Sequence, residues 1–174
     1  MESQDQIINR VAGSSLITFD LETYHQPGER VLIDIKDQLY QELILREKDF
    51  RDFVKTHDWP QYQDKFVAIT CSVDAIVPHW AFMLVGLAVE PYARHAIFGT
   101  LEALETELFR RSLASVDWSV YKGAKVVVKG CSKVFVPAAV YVDAARTLRP
   151  LVSSLMFGEA CSTVPLYKKP KGDS

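Results

Sequence analysis

Strand patterns and helix patterns alternate through most of the chain after residue 60, and this alternation constrains the fold more than any other feature. Apolar, β-branched runs predict strands at residues 65–71, 94–98, 125–129 and 154–157. Helical patterns lie between them, at residues 78–90, 100–113 and 137–148. Strands that alternate with helices in this way are typical of a parallel sheet with right-handed crossovers. The sequence therefore predicts an α/β fold.

Two further strand patterns, at residues 16–21 and 31–35, and an amphipathic helical pattern that starts at Asp37 precede this alternation. We therefore expect a three-layer sandwich with a mainly parallel sheet, a βαβαβαβ core, and an N-terminal β-β-α arm attached at one edge. A chain of 174 residues fits a single domain. We divide this predicted domain into the arm (1–60), the core (61–160) and a C-terminal tail (161–174).

Composition and charge exclude several function classes. The net charge of −2 and a single short basic run at the C-terminus argue against nucleic-acid binding, which needs a clustered excess of Lys and Arg. The most apolar stretch, residues 75–89, is interrupted by Pro78 and Gly86 and is shorter than the ~20 residues of a membrane span. The polar first residues lack the apolar segment of a secretory signal, so we expect a cytoplasmic protein without a membrane span.

The three cysteines are expected to be thiols in a reducing compartment, and each begins a similar short pattern. Cys71, Cys131 and Cys161 are each followed by Ser, a spacer and then Val-Pro. Cys71 and Cys131 follow predicted strands that would be neighbours if the strand order were 2-1-3-4. Ligands bind at the carboxyl ends of such strands, where the strand order reverses. Cys161 would then lie one strand further along the same edge.

This arrangement leaves three hypotheses open. In the first, Cys71, Cys131 and Cys161 bind zinc or an iron–sulfur cluster, with His79, Asp74, water or an external group as the fourth ligand. In the second, the protein is a thiolate-based enzyme or sulfur carrier whose nucleophile is Cys71, activated by the amino end of the following helix. In the third, the cysteines are small packed side chains and the protein is an oligomerising interaction module with no metal.

The helix predicted after Pro78 is apolar on nearly all sides, which indicates full burial. Self-association would supply part of that cover, so a homodimer is one expected arrangement. His79, at the start of this helix, is either a metal ligand or a hydrogen-bonded, half-buried histidine. No Gly-x-Gly-x-x-Gly, Walker or Gly-x-Ser-x-Gly motif supports a nucleotide-binding or serine-hydrolase function, and no reaction follows from the sequence.

Several segments distributed over nearly the whole chain match motifs of one family. They begin at Asn9 (Asn-Arg-Val-Ala), Leu16 (Leu-Ile-Thr-Phe-Asp-Leu-Glu), Glu47 (Glu-Lys-Asp-Phe-Arg), Ala68 (Ala-Ile-Thr-Cys-Ser), Lys129 (Lys-Gly-Cys-Ser) and Cys161 (Cys-Ser-Thr-Val-Pro-Leu-Tyr-Lys-Lys). The sequence resembles an uncharacterised bacterial family, domain of unknown function 2480. The resemblance implies no established activity. It implies iron–sulfur assembly proteins as partners, which favours an iron–sulfur cluster or zinc under the first hypothesis.

Overall fold

The computed structural model describes residues 9–10, 16–130, 133–159 and 161–170. The helices of this part of the chain are α1 (Glu47–Thr56), α2 (His79–Val89), α3 (Leu101–Leu113) and α4 (Ala138–Leu148). Its strands are β1 (Asn9–Arg10), β2 (Leu16–Asp20), β3 (Arg30–Asp34), β4 (Phe66–Thr70), β5 (His95–Phe98), β6 (Lys125–Lys129), β7 (Ser154–Glu159) and β8 (Ser162–Lys168). The predicted α/β class is confirmed.

The chain divides into two compact units. The inserted unit is Pro27–Glu107, and the split unit combines Met1–Gln26 with Leu108–Ser174. The inserted unit contains a three-stranded parallel sheet of order β3-β4-β5. The split unit contains a five-stranded sheet of order β1-β2-β6-β7-β8, in which β2, β6 and β7 are parallel and the two outer strands are antiparallel. Each unit has its own hydrophobic core.

The strands expected in one sheet thus form two sheets. β4 and β6, which we expected to be neighbours, belong to different sheets, so the 2-1-3-4 order is wrong. The two strands of the predicted N-terminal arm pair with strands of the predicted core, β2 with β6 and β3 with β4. A sequence period indicates that a segment is a strand but does not identify its hydrogen-bonding partner, which explains the difference. The single-domain prediction stays a prediction.

Two local predictions also differ from the structure. The helical pattern around Leu39 and Ile44 is a tight loop, in which Gln41 and Glu42 have φ values of 53° and 58°, and the helix begins later, at Glu47. The predicted C-terminal tail contains β8, which forms a hairpin with β7. Pro165 and the following lysines make β8 read as a tail, but an outer strand tolerates a proline because one of its sides needs no hydrogen-bond donors.

The helix starts follow the sequence closely. Pro78 and Pro137 are the N-cap residues of α2 and α4, where a proline precedes the first turn without removing an intrahelical hydrogen bond. Thr100 caps α3, because its hydroxyl oxygen accepts a hydrogen bond of 3.1 Å from the backbone N–H of Ala103. These caps place the helices directly after the loops that leave β4, β5 and β6.

The two units repeat one framework. Equivalent residues of the two copies lie 59 positions apart in the sequence, as Trp59 and Trp118 do (118 − 59). In both, an Asp-Trp-x-x-Tyr segment forms a 3-10 turn ahead of a buried strand, beginning at Trp59 and Trp118. A Val-Pro loop, an eleven-residue helix and another parallel strand follow, so α2 and β5 correspond to α4 and β7. The last of these strands reaches a Phe-Gly pair in both repeats, at Phe98 and Phe157.

Side-chain packing repeats as well. The ring of Phe82 on α2 packs edge-on against Phe98, with 4.8 Å between ring centroids, and Tyr141 on α4 packs against Phe157 in the same way at 5.7 Å. Each unit is completed by a strand that ends in an aspartate, β3 in the inserted unit and β2 in the split unit, and that aspartate caps the 3-10 turn that follows. The chain therefore carries two copies of one β-α-β-α-β framework.

Candidate functional site

The cysteines lie on both units. Cys71 directly follows β4 in the inserted unit, is half-buried, and has its Sγ atom 3.6 Å from the backbone oxygen of Val73. Cys161 lies in the hairpin between β7 and β8 of the split unit and is exposed. Cys131 lies outside the described residues. The structure does not bring the two described cysteines into one sheet, because β4 and β7 belong to different sheets.

The observed strand order also contradicts the assumption from which we expected a ligand site at the cysteines. In the inserted unit the strands follow one another across the sheet in chain order, β3, β4 and β5, and β2, β6 and β7 do the same in the split unit. The crevice that binds ligands in open α/β sheets forms where the strand order reverses. Neither series of parallel strands reverses, so the expected switch point between the strands of Cys71 and Cys131 does not arise.

The other predicted ligands do not complete a metal site in the described part of the chain. His79, the first residue of α2, and Asp74 are both exposed. Among the described residues, no group of three or more His, Cys, Asp and Glu side chains could hold a metal ion. The described residues by themselves therefore do not form the expected metal site.

Charged side chains at the carboxyl ends of the strands neutralise one another. In the split unit, Lys129 lies 3.4 Å from a carboxylate oxygen of Asp20 and 3.8 Å from one of Glu159. Asp20 first, and Glu159 with it, raise the pKa of Lys129 by favouring its charged form. A lysine with a raised pKa is a poor nucleophile or base, so this cluster indicates a structural role rather than catalysis.

The corresponding aspartate of the inserted unit binds a loop. Asp34 accepts hydrogen bonds of 3.1 Å from the backbone N–H groups of Lys36 and Ser72, which joins the end of β3 to the loop after β4. Burial raises the pKa of Asp34, but the hydrogen bonds from Ser72 and Lys36 outweigh it and hold the pKa below its ordinary value of 3.8. This carboxylate therefore fixes the loop that carries Cys71.

An exposed apolar surface lies on the inserted unit, and we name it the α2–β5 surface. Its large exposed side chains are Met83 and Leu87 on α2 and Phe98 on β5, which are 65%, 70% and 66% exposed. Met83 and Phe98 border a groove of about 490 Å³ between α2 and β5, whose lining also includes the small residues Gly86 and Ala96 and the charged residues Glu90 and Arg94. The described chain does not bury α2 on all sides, contrary to the sequence expectation, because only one face of the helix reaches the core.

The outer edge of β5 borders this groove, and no other described strand pairs with it. In the split unit, β8 covers the corresponding edge of β7 along the whole strand. The surface also differs from its counterpart on α4, where Arg146 occupies the position of Leu87 and Ala145 that of Gly86. The inserted unit thus presents an apolar, uncovered edge where the split unit presents a covered one.

This surface is the feature that sequence reasoning located least well. The all-apolar pattern of α2 predicted full burial, and it could not show which face of the helix stays exposed. The repeated Asp-Trp-x-x-Tyr and Phe-Gly segments are a signal that aligns the two units by sequence alone. In the structure, β8 follows only one of the two Phe-Gly pairs.

Among the described residues, no helix has the length and apolar character needed to span a membrane. No curated protein and no solved structure matches the chain. A family model described as "Protein of unknown function (DUF2480)" matches residues 5–169, in agreement with the resemblance of the sequence motifs. Because this match covers nearly all of the 174 residues, the chain belongs to the DUF2480 family.

Proposed function

We propose that this protein is an interaction module that forms a homodimer through the α2–β5 surface of its inserted unit. One observation carries the proposal: the edge of β5 and the neighbouring side chains Met83, Leu87 and Phe98 are exposed, whereas β8 covers the corresponding edge in the split unit. Clustered apolar side chains of this size on a surface mark interaction sites more often than isolated ones do.

A second copy of the chain fits this surface by its own chemistry. The exposed apolar side chains Met83 and Phe98 lie beside a groove whose lining includes the small residues Gly86 and Ala96, so one surface offers both the projecting and the receiving parts. Glu90 and Arg94 line the same groove with opposite charges, which a second copy can also match. A two-fold interface brings the same patch of both protomers together and therefore needs such self-complementarity. Burying the exposed part of Met83 stabilises the dimer by about 1–2 kcal/mol, and a two-fold interface buries this side chain on both protomers.

The direct test is the molar mass in solution over a concentration series, by light scattering after gel filtration and by sedimentation velocity. The wild type is expected to form dimers, and Met83→Glu to be monomeric or to dissociate at least ~30-fold more readily, since two buried charges oppose the interface. Val142→Glu is the matched control, because Val142 occupies the position of Met83 on α4 and is also exposed. A wild type that stays monomeric at millimolar concentration would overturn the proposal.

A cysteine-bound metal is the second candidate, and the strand pairing of the split unit favours it. β6 and β7 are adjacent and parallel, with Val128 opposite Phe157. In the sequence, Cys131 and Cys161 each follow the end of one of these strands by two residues. Neighbouring strand ends that lead into two thiols make a shared ligand set a reasonable hypothesis.

Elemental analysis and an absorption spectrum of protein purified without oxygen and without added metal test this second candidate. Near-stoichiometric zinc or iron that is lost in Cys131→Ala and in Cys161→Ala would support it, and loss in Cys71→Ala would extend the site to all three cysteines. Metal that persists in the cysteine variants, or metal-free folded protein, would contradict it. One dominant iodoacetamide-reactive cysteine would instead favour the thiolate function of Cys71. Iron–sulfur assembly proteins as partners remain a prediction.

A further inference from the structure

The exposed groove of the inserted unit has a specific shape beside an uncovered strand, and both features limit how a second copy can bind. We propose that two copies join through the outer edges of β5, which pair antiparallel and merge the two three-stranded sheets into one continuous sheet. This inference rests on the proposed dimer and specifies its geometry. It assigns Ile97 to the two-fold axis and Phe98 of each copy to the groove of the other.

The backbone of β5 determines which residues can pair. The N–H of Gly99 donates a hydrogen bond of 2.9 Å to the carbonyl of Ile69 on β4. Backbone groups alternate in direction along a strand, so Ile97 also bonds towards β4. Ala96 and Phe98 therefore direct their N–H and C=O groups to the outer edge, where a partner strand would lie.

Symmetry then limits the register. A two-fold axis perpendicular to the sheet makes two copies of β5 antiparallel and keeps the helix-bearing sides of both sheets together. Residues directly opposite each other must point to the same face, so the axis passes through a residue and its own copy. Centring the axis on Ile97 places Ala96 opposite Phe98 of the second copy, and both outward residues then exchange hydrogen bonds.

Side-chain sizes agree with this register. Ala96 and Gly86 leave the groove open, and a Cβ atom built at Gly86 would meet nothing within 4 Å. The ring of Phe98 borders the same groove and is mostly exposed. Pairing Ala96 with Phe98 of the second copy sets a small residue beside a large one, so each ring covers the small residues of the other protomer.

The split unit supplies an intramolecular precedent for this edge pairing. There β8 runs antiparallel to β7 and pairs with Leu155 and Phe157, which occupy the positions of Ala96 and Phe98. The larger Leu155 and Ala145 take the places of Ala96 and Gly86, so the sequence differs where the split unit has no second copy to accommodate. The geometry therefore assigns the same edge to an internal strand in one unit and to a partner copy in the other.

Disulfide trapping tests the register. In a background with the three native cysteines replaced by serine, Ile97→Cys is expected to give a covalent dimer on oxidation. Directly opposed residues of a non-hydrogen-bonded antiparallel pair have Cα atoms about 4.5 Å apart, which suits a disulfide. Met156→Cys is the matched control at the same position of β7, where β8 covers the edge, and it is expected to stay monomeric under denaturing conditions.

Two outcomes separate this inference from the proposed function. If wild type dimerises and Met83→Glu does not, but Ile97→Cys gives no covalent dimer, the surface is correct and the strand pairing is wrong. If wild type is monomeric, both fail. Hydrogen exchange of the wild type provides a second measurement without a cysteine variant. The amides of Ala96 and Phe98 should gain protection with protein concentration, and unchanged exchange across the dimer transition would overturn the pairing.

Discussion

The inserted unit and the split unit share one framework and differ mainly at the edge of that framework. Both have a 3-10 turn, a buried central strand, a proline-capped helix and a parallel strand that reaches Phe-Gly. In the split unit, antiparallel strands cover both β2 and β7, whereas no described strand covers β3 or β5 of the inserted unit. Positions that both units share are those that the fold requires. Positions that differ are therefore the better guide to function.

Three of the differences between the units lie on the α2–β5 surface or in its groove. Leu87, Gly86 and Ala96 of the inserted unit correspond to Arg146, Ala145 and Leu155 of the split unit. Leu87 in place of an arginine makes the inserted surface more apolar, and the smaller residues Gly86 and Ala96 leave space beside β5. Exchanging these residues between the units is therefore an informative way to test the comparison.

The largest expected effect concerns the shared framework. Phe50 on α1 and Phe109 on α3 are fully buried and differ by the same repeat offset. Truncating a buried phenylalanine to alanine costs about 3–5 kcal/mol, so Phe50→Ala and Phe109→Ala should each lower the free energy of unfolding by that amount. Urea titration followed by circular dichroism measures both. A loss below ~1 kcal/mol in one variant and not in the other would show that the two positions are not equivalent.

The next effect concerns the interface. Leu87→Arg gives the inserted unit the residue found in the split unit, and it should raise the dimer dissociation constant at least ~30-fold, since each protomer loses about 1–2 kcal/mol of apolar burial. Sedimentation velocity measures this constant. Arg146→Leu is the reciprocal control and should leave it unchanged. Equal effects of the two substitutions would assign no special role to the inserted unit.

A smaller effect separates folding from association. Gly86→Leu should stabilise α2 by up to ~1 kcal/mol, because leucine favours helix more than glycine and its Cβ atom meets open space. The same side chain fills the groove and should weaken the dimer about 10-fold. Thermal unfolding and sedimentation measure the two effects, with Ala145→Leu as the control on α4. A variant that is more stable and equally dimeric would exclude the groove from the interface.

Sequence patterns identified local structure well in this chain. The strand pattern of Lys125 to Lys129 coincides with β6, and both Val-Pro segments mark helix starts. These features depend on residues close together in the sequence, so their physical causes can be read there. The helical pattern at Leu39 failed because backbone hydrogen bonds between Tyr40 and Ile44 close a tight loop, in which Gln41 and Glu42 adopt left-handed backbone angles that spacing alone does not indicate.

The sequence patterns did not predict which strands pair with each other, and the expected cysteine site depended on that pairing. The expectation that Cys71 and Cys131 lie close together assumed that β4 and β6 are neighbours. Instead, β4 pairs with β3 and β5, and β6 pairs with β2 and β7. Several apolar strands can satisfy one period equally well, and the choice among them is made by packing of the whole unit. Full burial of α2 was expected, but only one side of the helix is buried, and the all-apolar pattern could not show which side that is.

The smallest expected effect concerns the two aspartates that end β3 and β2. Asp34 has a lowered pKa in the folded state, so its charged form stabilises the protein above the unfolded-state pKa near 3.8, and this contribution is lost as the pH falls through the folded-state value. Asp34→Asn should therefore lower stability slightly at neutral pH, by less than ~1 kcal/mol, and flatten the decline in acid. Urea midpoints between pH 6 and pH 3 measure this.

The split unit should respond at the other end of the pH scale. Asp20 raises the pKa of Lys129 above its ordinary value of 10.5, so this contribution is complete below the unfolded-state pKa and is lost as the pH rises through the folded-state value. Asp20→Asn should therefore reduce the alkaline decline in stability, and Asp34→Asn should leave that decline unchanged. If both variants altered the same limb of the pH profile, the two capping aspartates would be interchangeable. The electrostatic difference between the units would then have no consequence for stability, and only the edge of β5 would distinguish them.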